Sequence, residues 1–340
     1  MALPSPAPAA SGTPAPAGVF HPRTLVVTNG NQGSDAQAQG LLQTLGVSDA
    51  EFRHVRLKGL SAWLAPGGGA PLGHVGKKGK LFRPPWPDLV ISVGRHAAPY
   101  ALVIRKKAKG QTFAMALQDP KTKPEKWDMI WAPDHDGLEG ENVVSTLLSP
   151  HRVTPERLAA PAAALEPQIA AMPRPRVAVL VGGPNGKFRF GASQARKLCA
   201  HLEALAPEGS FLITTSRRTP APVTWTIQQW IGGRPARLWM GGENNPYLAF
   251  LGAADAVVVT ADSVNMAGEA AGTGKPVYVF ELPGHAPKFR RFHDALRATG
   301  ATRPLSGQHF EPWTYAPLND NEKIAAAVRA AYLAWEKARG

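Results

Sequence analysis

The most constraining feature of the sequence is a pair of short apolar runs within residues 256–280. Residues 257–260 and 277–280 are valine-rich and lack polar alternation, as strands do when both faces of a parallel sheet are covered. Between the two runs, a polar turn at Asp262 can begin a helix, and Pro276 blocks its continuation. This pattern predicts a strand–helix–strand unit, and therefore an α/β fold.

Polar residues occupy the point at which the first predicted strand of this unit meets its helix. Open α/β sheets bind ligands at the carboxyl ends of their strands, and the free N–H groups of a helix N-terminus favour anions. We therefore expect Ser263, Asn265 and Glu269 to line a ligand site. The alternative for a helical glutamate, a side chain that merely faces solvent, is common.

Length and composition predict two α/β domains and a tail. The chain has 340 residues, 44% of them apolar, and contains Pro and Gly well above average usage. Residues 1–20 are mostly Pro, Ala and Ser, which predicts a disordered tail. We expect one domain over residues 21–172, a second over 173–320 and an amphipathic terminal helix over 321–340.

Cysteine content and hydropathy limit the class of protein further. The single cysteine, Cys199, excludes an intramolecular disulfide and a cysteine-ligated metal cluster. No apolar run reaches membrane-spanning length, and the first residues do not form a secretory signal. We therefore expect a cytoplasmic protein.

The chain is strongly basic, with a formal net charge of +13. Its cations cluster in residues 77–83 and 105–109, and Trp63 and Trp86 lie near the first cluster in sequence. Basic residues beside aromatic ones suit an anionic membrane surface, which predicts peripheral association and a lipid acceptor as a partner. The alternative is a solvated loop and a charged helix end. Nucleic acid is not an expected partner because the chain contains no recognised binding motif.

The first predicted domain places three loop residues at the end of its first strand. Residues 25–28 form that strand, and Gly30, Gln32 and Gly33 follow it before a helix. The spacing does not match the dinucleotide fingerprint, and the next strand does not end in an acidic residue, so we do not expect a nicotinamide cofactor.

Two titratable residues follow later strands of the same domain. His96 comes after the strand predicted at 88–93, and a neutral imidazole there can act as a general base. Asp119 comes after the strand at 112–117 and is a second polar group for the same cleft. Either residue can instead be structural, His96 as a satisfied histidine and Asp119 as a turn initiator before proline. The run at 134–136 alternates acid and histidine without a further ligand set, so we predict a loop and no metal site.

The second domain supplies candidate phosphate ligands from two successive loops. Gly182, Gly183, Gly186 and Lys187 follow the strand predicted at 177–181, where glycine permits close backbone approach and lysine supplies charge. The spacing departs from the Walker A pattern, which disfavours ATP hydrolysis of that type.

Two arginines follow the next strand, at 211–215. Arg217 and Arg218 suit a diphosphate because guanidinium groups pair bidentately with its oxygens. Exposed loop charges are the alternative.

A series of short motifs stands in order along the chain. The motifs are Thr28-Asn29-Gly30 with Gly33-Ser34, Ser92-Val93-Gly94-Arg95, Gln118-Asp119-Pro120, Pro133-Asp134-His135-Asp136, Thr214-Thr215-Ser216-Arg217-Arg218-Thr219-Pro220 and Asn244-Asn245-Pro246-Tyr247. They resemble those of the mitochondrial-fission Elm-type family, whose bacterial members are commonly labelled predicted nucleoside-diphosphate-sugar epimerases. The resemblance covers about residues 23–305 and belongs within the wider group of GT-B glycosyltransferases. It implies two Rossmann-like parallel-sheet domains that face a cleft, with a terminal helix packed back on the first.

The resemblance also implies a function. A GT-B transferase would bind a nucleoside-diphosphate sugar in the cleft, with Glu269 at the ribose and Asn244 near the base or sugar, and would need no cofactor or metal. An epimerase would place His96 and Asp119 on opposite faces of the sugar. A catalytically silent adaptor is the third possibility, because fold alone does not decide function.

Overall fold

The computed structural model describes residues 20–57, 63, 65–67, 70–71 and 73–339, which form two α/β lobes. Apart from Phe20, the predicted tail lies outside the described residues. Each lobe contains a six-stranded sheet in which every pair of neighbouring strands is parallel. The predicted α/β, GT-B-like fold is confirmed.

The sheet of the first lobe has the strand order β2-β1-β3-β4-β5-β6. Its elements are β1 (Thr24–Thr28), α1 (Gln32–Leu45), β2 (Glu51–His54), β3 (Leu89–Val93), α2 (Ala98–Lys107), β4 (Phe113–Leu117), β5 (Met129–Pro133) and β6 (Val143–Thr146).

The sheet of the second lobe has the order β12-β11-β10-β7-β8-β9. Its strands are β7 (Arg176–Val181), β8 (Ser210–Thr215), β9 (Ala236–Trp239), β10 (Ala256–Thr260), β11 (Val277–Phe280) and β12 (Thr302–Pro304). The remaining helices are α3 (Pro155–Ile169), α4 (Ala192–Leu205), α5 (Ala221–Trp230), α6 (Tyr247–Ala253), α7 (Val264–Ala271), α8 (Pro287–Ala298) and α9 (Asn321–Lys337).

The central strands are buried throughout because helices cover both faces of each sheet. Every residue of β1, β3, β4 and β5 is buried in the first lobe, as is every residue of β7, β8, β10 and β11 in the second. The polar side chains that these strands do contain lie at or next to a strand end, as those of Thr28, Arg176 and Thr260 do. The loops that follow the strands carry the candidate site.

The terminal helix α9 packs on the first lobe although it follows the second in sequence. Ile324, Val328 and Tyr332 are buried in the core formed by α1, β3 and β4. The aromatic ring of Phe20 meets Tyr332 edge to face, with ring centroids 5.3 Å apart. The chain therefore begins and ends its described course on the same lobe.

Helix α3 packs on the second lobe, whereas the sequence predicts it in the first domain. Its apolar residues Leu158, Leu165 and Ile169 are buried against second-lobe strands and α6. At its end, the buried guanidinium of Arg176 donates hydrogen bonds of 2.8 and 3.0 Å to Glu166. The chain thus leaves the first lobe before α3, because the apolar residues of that helix pack on the second lobe.

Two segments of the chain cross between the lobes and are hydrogen-bonded to each other. The N–H of Leu148 donates to the Asp320 carboxylate (2.8 Å). His151 and Asn321 are paired twice: the His151 N–H donates to Asn321 Oδ1 (3.1 Å), and Asn321 Nδ2 donates to the His151 carbonyl (2.8 Å). Both connections between the lobes therefore pass through one hydrogen-bonded pairing.

The lengths and compositions of the helices bear on membrane insertion. Within the described ranges, no helix combines the length and the apolar character needed to span a bilayer.

Candidate functional site

The site is built around Asp262, in the turn between β10 and α7. Its side chain is completely buried and accepts hydrogen bonds from three different segments. The donors are Thr260 Oγ1 (2.7 Å), the N–H of Gly183 (3.0 Å) and the guanidinium of Arg218 (3.0 Å). Asp262 therefore ties the loops that follow β7 and β8 to the start of α7.

The glycines after β7 are required by close packing on this carboxylate. A Cβ at Gly182 would lie 2.3 Å from the Asp262 carboxylate oxygens, and one at Gly183 would lie 2.2 Å from the Arg218 carbonyl. Neither neighbour can move away, since both are buried in or bonded to the same turn. Gly186, further along the loop, has a φ of 79°, a conformation that favours glycine.

The predicted cations Lys187, Arg217 and Arg218 lie at the same edge of the second lobe, in different surroundings. The Arg218 guanidinium also donates to the carbonyl of Gly183 (3.0 Å), and 45% of its side chain stays exposed. Arg217 is exposed beside it. Lys187 is exposed two residues beyond Asn185, whose side chain donates to the Asp262 carbonyl (3.1 Å).

Helix α7 begins at Ser263, whose hydroxyl accepts a hydrogen bond from the N–H of Met266 (3.3 Å). Further along the helix, the Glu269 carboxylate accepts a hydrogen bond of 2.6 Å from the hydroxyl of Tyr247 at the start of α6. Burial raises the pKa of Glu269, and Tyr247 opposes that effect. The pKa of Tyr247 is raised well above its ordinary value, chiefly by burial and then by the Glu269 charge. No sequence pattern had pointed to Tyr247 as the partner of Glu269.

Asn265, on the first turn of α7, contacts the first lobe directly. Its Oδ1 accepts a hydrogen bond of 2.9 Å from Gln37 Nε2, and Gln37 Oε1 accepts one of 2.6 Å from Gln118 Nε2. A Cβ at Gly33 would lie 2.9 Å from Asn265 Nδ2, so glycine allows α1 and α7 to meet. Of the predicted first-lobe loop, Gly33 is thus the residue that reaches the second lobe.

The space between α1 and α7 is narrow. It is a cavity of about 10 Å³, room for roughly one water molecule, lined by residues that include Gly33, Gln37, His151, Asn265 and Glu269. His151 is almost completely buried there, and its Nε2 has no hydrogen-bond partner within the described residues. Burial lowers the pKa of His151, so its imidazole is neutral near pH 7.

The other predicted first-lobe residues lie at the carboxyl ends of their strands. His96 is half-buried in the loop between β3 and α2, and burial, followed by the charge of Arg95, lowers its pKa. Asp119 accepts hydrogen bonds from the N–H and the ammonium of Lys121. Gly30 has a φ of 74°, and Gln32 is exposed at the start of α1.

Asn244 lies apart from the cluster around Asp262. It has a φ of 56° and is exposed in the loop that links β9 to α6. This loop leads directly into Tyr247, the partner of Glu269. Asn244 therefore lies at the carboxyl-end edge of the second-lobe sheet, after the edge strand β9.

The turn at residues 134–136 is a contact between the lobes. The ammonium of Lys288, on α8, donates to Asp136 (2.8 Å), and Arg291 donates to the carbonyl of His135 (2.8 Å). Among the residues that the structure describes, no group of three or more His, Cys, Asp or Glu side chains could hold a metal.

The two basic clusters of the first lobe meet in space. The Lys107 side chain, at the end of α2, passes within 3.5 Å of a Cβ built at Gly76, next to Lys77 and Lys78. We name this surface the basic patch. It consists of Lys77, Lys78, Lys80, Arg83, Lys106, Lys107 and Lys109, all of them exposed. Trp63, named with the first cluster in sequence, is 77% exposed.

A likeness to solved structures supports the fold. The chain is similar to the structure of UDP-GlcNAc 2-epimerase from Methanocaldococcus jannaschii, with a TM-score of 0.54 and 8% sequence identity. The similarity covers 90% of this chain and 99% of that one. At this identity the likeness establishes the architecture alone.

Sequence relatives define the family. The chain is 31% identical over 385 residues to the mitochondrial fission protein ELM1 of Arabidopsis thaliana, which covers 90% of each protein. It is 27% identical to an uncharacterized protein of Rickettsia prowazekii over 72% of this chain and 80% of that protein. The family model described as mitochondrial fission ELM1 matches residues 32–332. The chain therefore belongs to the mitochondrial fission ELM1 family, as its motifs predict.

Proposed function

We propose that the protein binds a nucleoside-diphosphate sugar between its lobes and transfers the sugar to an acceptor held by the first lobe. The observation that carries this proposal is the convergence on Asp262. Hydrogen bonds to this carboxylate hold together the Gly182–Gly183 turn, the loop after β8 that carries the arginines, and the start of α7. All three lie at the edge of the sheet where the strands end. Such an edge is where open α/β sheets bind ligands.

The pyrophosphate would lie between the α7 N-terminus and the exposed cations. The first N–H groups of a helix have no partner within the helix and favour negative charge. Arg217 and Lys187 supply exposed cations at the same edge. Arg218 is partly used by Asp262, yet a guanidinium has five N–H donors, so part of its exposed edge remains for a phosphate oxygen.

The ribose would be held by Glu269. Tyr247 holds this carboxylate in position by its 2.6 Å hydrogen bond, which leaves other carboxylate lone pairs to accept from ribose hydroxyls. Ser263 and Asn265 lie between the ribose and pyrophosphate positions on the same helix. Asn244 lies in the loop that precedes Tyr247 and is our candidate for the base or sugar.

In the reaction that we propose, the acceptor oxygen forms a bond to the anomeric carbon, and the bond from that carbon to the diphosphate oxygen breaks. His96 takes the proton of the acceptor hydroxyl. A general base must be unprotonated, and the lowered pKa of His96 keeps its imidazole neutral. The cations of the second lobe stabilise the charge that develops on the departing diphosphate. Asp119 is our second candidate on the acceptor side.

The products distinguish this reaction from its alternatives. We would incubate the protein with UDP, GDP and TDP sugars, with and without a membrane-lipid extract as acceptor, and measure free nucleoside diphosphate and sugar identity. Release that requires the extract, and that falls at least 100-fold in His96→Ala, supports transfer. Interconversion of the sugar without acceptor indicates an epimerase, and no turnover together with no binding indicates an adaptor.

We also propose that the basic patch binds an anionic membrane surface, which would present a lipid acceptor. Each cation near such a surface contributes attraction of about 1 kcal/mol, and the patch gathers cations from two separate segments. Vesicles of phosphatidylcholine with phosphatidylglycerol should sediment the protein, and vesicles of phosphatidylcholine alone should not. Retention by anionic vesicles in a Lys77→Glu/Lys78→Glu/Lys107→Glu variant would contradict this.

A further inference from the structure

The first lobe covers the part of α7 at which we place the ribose. The cavity between α1 and α7, which Asn265 and Glu269 line, measures about 10 Å³, whereas pockets for small ligands measure roughly 300–1,000 Å³. A ribose at Glu269 therefore requires α1 and α7 to separate. Opening of the lobes must precede binding.

A relay of side-chain amides holds the two lobes together at this point. Gln37 lies at its centre, is 4% exposed and contacts Asn265 of the second lobe and Gln118 of the first. The amide nitrogen of Gln37 donates in one of these contacts, and its amide oxygen accepts in the other. A hydrogen bond between protein groups is worth more than the bond to water that replaces it on opening, so the relay favours the closed state.

The backbone of Gln118 is strained. Its φ is 82°, in the left-handed region that few residues other than glycine adopt. Such strain persists only where the surroundings impose it, and it is concentrated at ligand clamps and switch regions. At Gln118 the strained residue is the one that completes the relay.

We propose that Gln118, Gln37 and Asn265 form an interlobe latch that holds α1 against α7 and opens to admit the ligand. The latch itself is independent of the ligand's identity, and only its effect on nucleotide binding rests on the proposed function. The paired segments at Leu148–Asp320 and His151–Asn321 are the hinge about which the lobes separate. The ion pair between Asp136 and Lys288 is a second interlobe contact, and it remains in all variants used below.

The first test measures backbone hydrogen–deuterium exchange without ligand in Gln37→Ala. Gln39→Ala is the matched control, since Gln39 is exposed on the same helix. The latch predicts that Gln37→Ala speeds exchange about fivefold at the start of α1 and at the start of α7, on both lobes together. Strands β1 and β10, in the lobe cores, should keep their protection, and Gln39→Ala should resemble the wild type.

The second test separates the latch from the ligand contact. Asn265→Asp preserves the acceptor for Gln37 but adds a negative charge next to the position of the pyrophosphate. We expect its exchange at α1 and α7 to match the wild type, while its affinity for UDP or GDP falls at least tenfold. Gln37→Ala should instead bind the nucleotide about fivefold more tightly, because less of the protein is closed.

The exchange data alone decide whether the latch exists. Faster exchange at both helix starts in Gln37→Ala supports it. Unchanged exchange, or a change confined to α1 or spread through the lobe cores, overturns it. If none of the proteins binds a nucleoside diphosphate, the proposed function fails, and the exchange rates of Gln37→Ala still test the latch.

Discussion

The hydroxyl of Tyr247 donates a 2.6 Å hydrogen bond to the carboxylate of Glu269, which joins the start of α6 to the middle of α7. This hydrogen bond lowers the pKa of a carboxyl that burial raises. The hydrogen bond therefore favours the ionised carboxylate of Glu269, which would accept a hydrogen bond from a ribose hydroxyl. The orientation of Glu269 depends on a residue that lies outside the strand–helix–strand unit.

Replacement of Tyr247 by Phe should weaken nucleotide binding. The variant loses the donor that orients Glu269. We expect its affinity for a nucleoside diphosphate to fall about fivefold, which corresponds to the loss of about 1 kcal/mol of binding free energy. Tyr315→Phe is the matched control, because its hydroxyl donates to the Lys275 carbonyl (2.7 Å) away from the cluster around Asp262. Calorimetric titration of both variants checks this. Equal affinities would contradict the role of Tyr247.

Loss of the Asp262 side chain should destabilise the second lobe strongly. In Asp262→Ala the N–H of Gly183 and the hydroxyl of Thr260 lose a buried acceptor, and Arg218 loses its ion pair. We expect the free energy of unfolding to fall by about 3 kcal/mol. Asp294→Ala removes an exposed partner of Arg297 and should cost less than about 1 kcal/mol. Urea denaturation that finds similar losses for the two variants would refute this role of Asp262.

Acid should destabilise the interlobe contact at His135. Burial lowers the pKa of His135 to about 4, against an ordinary value of 6.5, and Asp136 opposes that shift. Lys288, Arg291 and His293 lower it further. The unfolded chain therefore takes up the proton first, so stability is fully present above pH 6.5 and is lost as pH falls toward 4.

Between pH 7 and pH 5, protonation of His135 should lower the free energy of unfolding by about 2 kcal/mol. Burial also lowers the pKa values of His151 and His293, which act in the same direction. His135→Gln should thus remove only part of the acid sensitivity, by about 2 kcal/mol at pH 5. Chemical denaturation at the two pH values measures it, and an unchanged pH dependence in the variant would be inconsistent with a neutral buried His135.

The fold follows from local patterns that a single sequence displays. The apolar runs predicted at 177–181, 257–260 and 277–280 correspond to β7, β10 and β11 within one residue at each end. Burial on both faces makes the middle of such strands apolar, which is why the pattern is recognisable. The polar loops that follow them could be predicted for the same reason.

The contacts across the site could not be predicted in this way. Gln37 and Asn265 are separated by 228 residues, and neither stands in a spacing that signals the other. The packing of α3 on the second lobe is a similar case, because an apolar stripe indicates burial without indicating the partner. The prolines at 173–175 resemble a domain linker in sequence, yet the Pro173 carbonyl accepts a hydrogen bond from Ser210 of the second lobe (2.7 Å).

The most direct test of the central claim is calorimetric titration of the protein with UDP and GDP, alongside Arg217→Ala and Arg196→Ala. Arg196 is an exposed arginine on α4 of the same lobe and controls for net charge. If the strand ends of the second lobe hold a pyrophosphate, one nucleotide binds to the wild type and to Arg196→Ala. Arg217→Ala should then bind it more weakly by about 1–3 kcal/mol. No binding by the wild type, or equal binding by both variants, would contradict the claim.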